Sequence, residues 1–467
     1  MLSKYRILMS LVIMILLGSF FLVDSYRQKI IQATISSEQL SRLDSIEFFT
    51  NSTERLNKLL TVENRSAWLH LAKLYAKKNA DIAYQLGNYY LTDGRIMSAK
   101  IWLKESVRQH HQGAMLALAT HYFETKQYQE SKSLVLPILE NDAALVLLYK
   151  LAIQQGDTAF LAEHQEKLSG LENSDFYQEL VNFSVFTGEK NKLNPQCNVS
   201  VQLFATNLKG LRHGTKLITQ FQQHKLAPYI CLLTPKYIPH ELVNCQDNTD
   251  EKISCKANVW ANRTDISSRY VGLIVEQGGA NVDNGIMYID QQDNVEVLAH
   301  ELSHLIGFID EYPLPSQHQK CQQNQQIPFS YNVVTLAESY FGERAEIRKR
   351  LLAKLPWANL IKDSTPILTK QDQGWKLATP VEYLNEIGIF LARSCDKNTN
   401  IQSYKPYYHR TQLEYFELDF PQSYIDIMAL APNQYLMPSY HFNVSRDLAQ
   451  QGEYKQARKI LRATLFR

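Results

Sequence analysis

No cysteine occurs before residue 197 in this 467-residue chain, and no two cysteines form a CxxC pair. The missing pair disfavours a cysteine–zinc cluster, which is normally built on such closely spaced thiols. Glycine is scarce, 18 residues against 26 tyrosines, which fits helix-rich repeats better than a loop-rich sandwich. Neither sign of charge dominates: 49 basic residues face 47 acidic ones, for a net charge of +2. Nothing therefore argues for a nucleic-acid partner. With 45% apolar and 21% charged residues the composition is that of ordinary globular protein, and the length predicts two or three domains.

At the start, Lys4 and Arg6 precede an uncharged run from Ile7 to Val23, closed by Asp24. The run is at the short end of a membrane-spanning helix and longer than most signal-peptide cores. An uncleaved single-pass anchor over residues 1–25 is the preferred reading. Cleavage after Ser25 is the alternative, since Val23 and Ser25 are small enough for such a site. No cysteine follows to carry a lipid. Either way the bulk of the chain is expected in the periplasm or extracellular space. The six cysteines (Cys197, Cys231, Cys245, Cys255, Cys321, Cys395) agree, because an even count beyond an export signal favours disulfides. Six cysteines allow fifteen connectivities. Cys245 with Cys255 is the favoured local pair, and Cys321 with Cys395 a second candidate.

Residues 26–190 read as helical and repetitive. Small and aromatic residues recur in Trp68–Tyr75, Tyr84–Tyr90 and Met115–Tyr122, and matching second-helix positions run from Gly94 to Ala99, Lys126 to Ser131 and Gly156 to Leu161. The spacing, roughly 30–32 residues, is similar to that of tetratricopeptide or Sel1-type hairpins. Such hairpins cannot bury their faces alone and must stack, which creates a surface for a protein partner. The last residues, 436–467, return to this pattern at Gly452, Tyr454 and Ala457. They predict a C-terminal hairpin that packs either on the repeats or on the middle domain.

Residues 195–435 read as an α/β domain. Val199–Ala205, Tyr229–Leu233, Tyr270–Glu276 and Asn284–Asp290 are strand candidates, and Leu208–Gln223 has helical periodicity. The last strand leads directly into Glu296-Val-Leu-Ala-His300-Glu301-Leu-Ser-His304-Leu-Ile-Gly307-Phe-Ile-Asp310-Glu311-Tyr312. His300 and His304, four apart in an apolar helical run, share one helix face and can share a metal ion. Glu301 sits at the edge of that face, placed to take a proton from a metal-activated water without being a ligand. Gly307 can end the helix in a left-handed turn, returning Asp310 as third ligand, with Glu311 as the alternative. Pro239-His240-Glu241-Leu242 carries the same His-Glu pair, but Asn244 stands where a second histidine would be needed.

The pattern HExxHxxGxxD resembles the metzincin clan of zinc peptidases in its aspartate-ligand, snapalysin-like variant, and Asp310-Glu311-Tyr312 is also similar to IgA-peptidase-type enzymes. The resemblance implies a Zn2+ cofactor held by His300, His304 and Asp310, Glu301 as general base, and a zincin-type domain whose edge strand pairs with extended peptide. Gly285, Ile286, Met287 and Tyr288 are the candidate edge. It also implies a methionine in a tight turn beneath the metal, for which Met428 in Tyr424-Ile-Asp-Ile-Met428-Ala is the candidate, although no tyrosine stands two residues on. The expected architecture is multidomain: N-terminal anchor, α-helical repeats and an α/β zinc metallopeptidase domain acting on protein or peptide outside the cytosol. Two other readings use the same residues: a cell-envelope scaffold with an inactive peptidase domain, and an amidase of peptidoglycan stems.

Overall fold

The computed structural model describes residues 65–170, 175–186, 199–246, 251–315, 317–322, 324–396 and 401–464. The apolar run at 7–23 and Cys197 lie outside them, and no helix among the described residues is long and apolar enough to cross a membrane. The chain is a mixture of all-helical and α/β structure, and it divides into two compact units, residues 1–151 and 152–467.

Residues 65–155 are helical: α1 (Arg65–Tyr75), α2 (Ala80–Thr92), α3 (Ile96–Arg108), α4 (Gln112–Glu124), α5 (Tyr128–Val135) and α6 (Asp142–Gln155) follow one another through short turns. Asn79 caps α2 by accepting from the Ile82 amide, and His111 Nδ1 caps α4 through the Ala114 amide. A left-handed residue ends a helix at Gly94 (φ 72°), at Lys126 (φ 60°) and again at Gly156 (φ 70°). In each turn the next amide reaches back five residues: Arg95 to Tyr90, Gln127 to Tyr122, Asp157 to Ala152. This double-bonded C-cap reverses the chain while satisfying the last carbonyls. The small positions after it, Ala99 and Ser131, are fully buried. They let α3 and α5 approach the preceding helix; Gly87 of α2, for example, is in close contact with Leu103 of α3.

In the second unit a five-stranded sheet runs in the order β2-β1-β3-β5-β4, with β1 Val199–Ala205, β2 Ile230–Tyr237, β3 Tyr270–Val275, β4 Asn281–Asp283 and β5 Ile286–Asp290. β1, β2, β3 and β5 are parallel, and β4 is antiparallel to β5. β3 and β5 are buried along their whole length, as parallel strands covered on both faces must be. On one face lies α7 (Leu208–Phe221), whose Gly214 sits against Ile274 and Pro235. The alternate side chains of β3, Val271, Leu273 and Val275, join a core cluster with Tyr440, Val444, Leu448 and Ala457. Those four come from the C-terminal hairpin, α10 (Tyr440–Gln450) and α11 (Tyr454–Thr464). The hairpin therefore covers the sheet of this unit, and its Gly452 turn (φ 86°) repeats the five-residue amide bond, Glu453 to Leu448.

The edge of the sheet is not where the sequence placed it. Gly285, Ile286, Met287 and Tyr288 belong to the β4–β5 turn and to β5, an interior strand; the edge is β4. Asn284 (φ 42°) and Gly285 (φ 82°) form a two-residue turn, and such turns join tightly paired antiparallel strands. From the end of β5 the chain enters α8 (Val295–Leu305). Beyond it lie two three-stranded sheets, β10-β11-β6 and β7-β9-β8 (β6 Val334–Leu336, β7 Ser339–Tyr340, β8 Leu368–Gln371, β9 Gly374–Leu377, β10 Phe390–Ala392, β11 Gln402–Lys405), and then α9 (Gln422–Leu430). Cys245 pairs with Cys255 and Cys321 with Cys395, as expected, and Cys231 is also disulfide-bonded.

Candidate metal centre

α8 is set by what precedes it. Asp290 Oδ1 accepts from the amides of Gln292 (2.6 Å) and Asp293 (3.0 Å), Asp293 Oδ2 accepts from the Asp290 amide (2.7 Å), and Asn294 caps the helix through the Val297 amide. This polar knot fixes where β5 ends and the helix begins. One turn apart on α8, His300 and His304 turn their Nε2 atoms to the same point. The helix stops at Gly307, φ 106°, with the Phe308 amide bonded to Ser303 O and the Gly307 amide to His304 O. Only glycine fits there. The backbone is left-handed, and a Cβ would stand 2.6 Å from Tyr435 Cβ.

The turn delivers Asp310 to the histidines. Its Oδ1 lies 3.2 Å from His300 Nε2 and 3.1 Å from His304 Nε2. The flanking backbone is pinned: Asn332 accepts from the Ile309 amide (3.0 Å) and donates to its carbonyl (2.8 Å), and Ser394 Oγ donates to Asp310 O (2.7 Å). Each histidine is oriented through its other nitrogen. His300 Nδ1 donates to Gln412 O (2.8 Å) and His304 Nδ1 to Phe308 O (3.2 Å), so both Nε2 atoms face Asp310. Gln412 is itself locked, its Oε1 accepting from His224 Nε2 (3.1 Å) and its Nε2 donating to Glu296 O (3.0 Å).

These three side chains form a group able to hold a metal ion, with all ligand atoms within 4.8 Å of one another. The two His–Asp separations, 3.2 and 3.1 Å, are close to the roughly 3.3 Å between ligands of an ion bound tetrahedrally at about 2.0–2.2 Å. Two imidazoles and a carboxylate also make a centre that attracts positive charge. Burial alone would lower the His304 pKa, but the Asp310 and Glu301 carboxylates outweigh it and lift it to about 9. Burial would raise that of Asp310, yet the two histidines hold it far below the carboxylate range.

Glu301 is 7% exposed. It shares a cavity of about 500 Å³ with His304, Asp310 and Tyr312, and its carboxylate is not one of the ligand group. Burial raises its pKa, against the pull of the two histidines. Tyr312 faces the same cavity, where burial and the Asp310 charge raise the pKa of its hydroxyl, and its ring lies nearly parallel to that of His300. Glu311, the alternative third ligand, is turned into the core. It accepts from Lys405 Nζ (2.7 Å), Thr411 Oγ1 (2.9 Å), Asn332 Nδ2 (3.0 Å) and the Tyr424 hydroxyl, which leaves it no place at the metal.

Met428 is buried inside α9 and lines neither cavity at the histidines. A helical residue cannot form the tight turn expected of it. The helix that carries the two histidines is met instead by Met437. Its amide donates to Leu305 O (3.0 Å), its sulfur accepts from the Gly285 amide (3.2 Å), and its carbonyl accepts from Tyr270 Oη (2.7 Å). It thus ties the end of α8 to the β4–β5 turn and to β3. Its one sequence signal was Pro438, which biases the residue before it away from the helical region. Gln412 gave none, because its contribution to His300 is a backbone carbonyl.

No protein-family model matches the chain, and no curated protein is significantly similar to it.

Proposed function

We propose that the protein is a zinc-dependent endopeptidase of the metzincin-like kind, anchored by its N-terminal apolar run with the bulk of the chain outside the cytosol. The carrying observation is the convergence of His300 Nε2, His304 Nε2 and Asp310 Oδ1, with the carboxyl of Glu301 in the same cavity. His300, His304 and Asp310 would hold the ion. Zinc in such a site acidifies a water and polarises the carbonyl to be attacked. Glu301 accepts the proton of the attacking water on its carboxylate and delivers it to the departing amine. Its burial supports this role, since a desolvated carboxylate binds a proton more tightly than one in water.

The sheet edge supports a peptide substrate. In an antiparallel ladder closed by a two-residue turn, Asp283 and Ile286 exchange hydrogen bonds, so the N–H and C=O of Val282 point away from β5. Val282 also lines both cavities beside the metal centre, where an extended chain adds a strand. The bonded cysteines agree with an oxidising compartment. The helical hairpins of the first unit are similar to tetratricopeptide repeats and supply a surface for a protein partner.

The test is metal content by mass spectrometry on the purified full-length protein, with cleavage of a peptide mixture as second readout. Wild type should carry one zinc and cleave. Asp310→Ala should lose both metal and activity, whereas Glu301→Gln should keep the metal and lose turnover. Wild type without zinc, or Glu301→Gln cleaving at the wild-type rate, overturns the assignment. Zinc at full occupancy with cleavage of peptidoglycan stems alone would instead make it an amidase.

A further inference from the structure

A second cavity of about 540 Å³ adjoins the metal centre, sharing His304 and Asp310 with the first. Its wall mixes apolar side chains, among them Leu314, Phe329 and Leu436, with polar ones, among them Asn284, His318 and Gln434. Lys320 is the one lysine or arginine among the described residues that line it. The Lys320 ammonium lies 4.5 Å from the centroid of the Phe329 ring, and burial lowers its pKa while the charge of Asp310 opposes that. No carboxylate among the described residues forms an ion pair with it. An ammonium half withdrawn from water costs free energy unless a counter-charge or a π face compensates it. Phe329 supplies only the weaker of these. Asp310, the nearest negative charge felt there, is committed to the metal centre.

The lysine is also held in place. Its neighbour Cys321 is bonded to Cys395, the Cys321 amide donates to His318 O (2.8 Å), and the Leu314 amide donates to Ser394 O (2.9 Å). Ser394 is the residue whose hydroxyl anchors Asp310. The segment 394–395 therefore ties both Asp310 and the backbone of the loop carrying Lys320 to one place, by covalent and hydrogen-bonded structure.

We propose that Lys320 is a specificity-determining residue that receives a carboxylate of the peptide substrate in this cavity. The assignment rests on the peptidase reading above and adds the substrate's charge. The carboxylate comes either from an acidic side chain beside the scissile bond or from the free C-terminus of a short peptide. Both offer the charge-assisted hydrogen bond that the ammonium lacks.

The experiment uses the full-length zinc-loaded protein and four peptide sets of otherwise equal sequence: Glu or Gln at the randomised position, each with a free or an amidated C-terminus. Wild type should favour at least one carboxylate-bearing set over the neutral amidated set by tenfold or more in kcat/KM. A preference for Glu in amidated peptides identifies a side chain, and a preference confined to free C-termini identifies the chain end. In Lys320→Met the ratio should fall to about one, and in Lys320→Glu it should fall below one. A wild-type ratio near one, or a ratio unchanged in Lys320→Met, overturns the proposal. The same ratios are read as Kd by calorimetry on Glu301→Gln. If wild type cleaves nothing, carboxylate-selective binding lost with Lys320 keeps this assignment while the peptidase reading fails, and unselective binding ends both.

Discussion

Lys405 Nζ and Glu311 Oε2 lie 2.7 Å apart, with side-chain exposures of 4% and 0%. Glu311 follows Asp310 directly and its amide donates to Leu413 O (2.9 Å), so this ion pair nails down the segment that presents Asp310, the proposed third ligand. Removing one partner of a buried pair leaves a charge without compensation and costs about 3–5 kcal/mol, whereas replacing both is often tolerated. Lys405→Met should lower stability by that order in denaturant titration and weaken zinc retention. The double variant Glu311→Gln/Lys405→Met should recover most of the loss. If Lys405→Met unfolds at the wild-type midpoint, the pair does not anchor the loop.

Gly307→Ala tests the turn. The alanine would be strained at φ 106° and its methyl would press on Tyr435. A strained residue of this kind costs on the order of 1–3 kcal/mol, and relief would come by shifting Asp310 from the histidines. We expect a lower melting temperature together with sub-stoichiometric zinc in mass spectrometry. A variant that melts lower but keeps full zinc would show that Asp310 is held by Ser394 and Asn332 alone.

What could be read in advance was local. The His300–His304 spacing, the Gly307 stop and the offset to Asp310 all lie within one helix and its cap, where side-chain direction follows from helical geometry. β3 and β5 were visible as apolar runs because parallel strands inside a sheet are buried on both faces, and β1 through the alternation of Val199, Val201 and Leu203. β4 was missed because three residues, two of them polar (Asn281 and Asp283), have no periodicity to detect. The Asn284-Gly285 dipeptide was nevertheless a hairpin signal, and it would have moved the edge from β5 to the segment before it. Contacts from remote chain stayed hidden. Gln412 reaches His300 across 112 positions through a carbonyl that any residue carries, and Met437 closes under α8 from a loop.

The pH dependence of stability should carry a mark of Asp293. Burial raises its pKa to about 6, with the nearby Asp290 and Glu301 charges adding to the rise and a hydrogen bond from the Asp290 amide opposing it. Its folded pKa is therefore above the unfolded value of about 3.9. Folding favours the protonated form, so this stabilising contribution is complete below about pH 4 and lost as the pH rises through 6. Because the side chain is partly exposed, the effect is about 1 kcal/mol or less after solvent screening. Asp293→Asn, which can still accept from the Asp290 amide, should melt higher than wild type at pH 7.5 and equally at pH 4. A gain of the same size at both values would assign the effect to something other than the carboxyl charge.

The sheet edge gives the most selective test of how substrate lies in the site. The Val282 N–H faces away from β5, so proline there removes no bond from the β4–β5 ladder; proline is tolerated on edge strands in that position. It would, however, withdraw the donor offered to an added strand. One such hydrogen bond contributes roughly 1 kcal/mol, and the proline ring adds a steric obstacle. Val282→Pro should therefore keep the wild-type zinc content and a melting temperature within a few degrees, while kcat/KM for peptides falls tenfold or more. Asp283, by contrast, exchanges bonds with Ile286, and its carbonyl also accepts from Asn443 Nδ2 (2.8 Å). Asp283→Pro should destabilise the hairpin itself. If Val282→Pro cleaves as wild type does, substrate does not extend the sheet along β4. Comparable loss of stability in the two variants would mean that the parity of the ladder has been assigned wrongly.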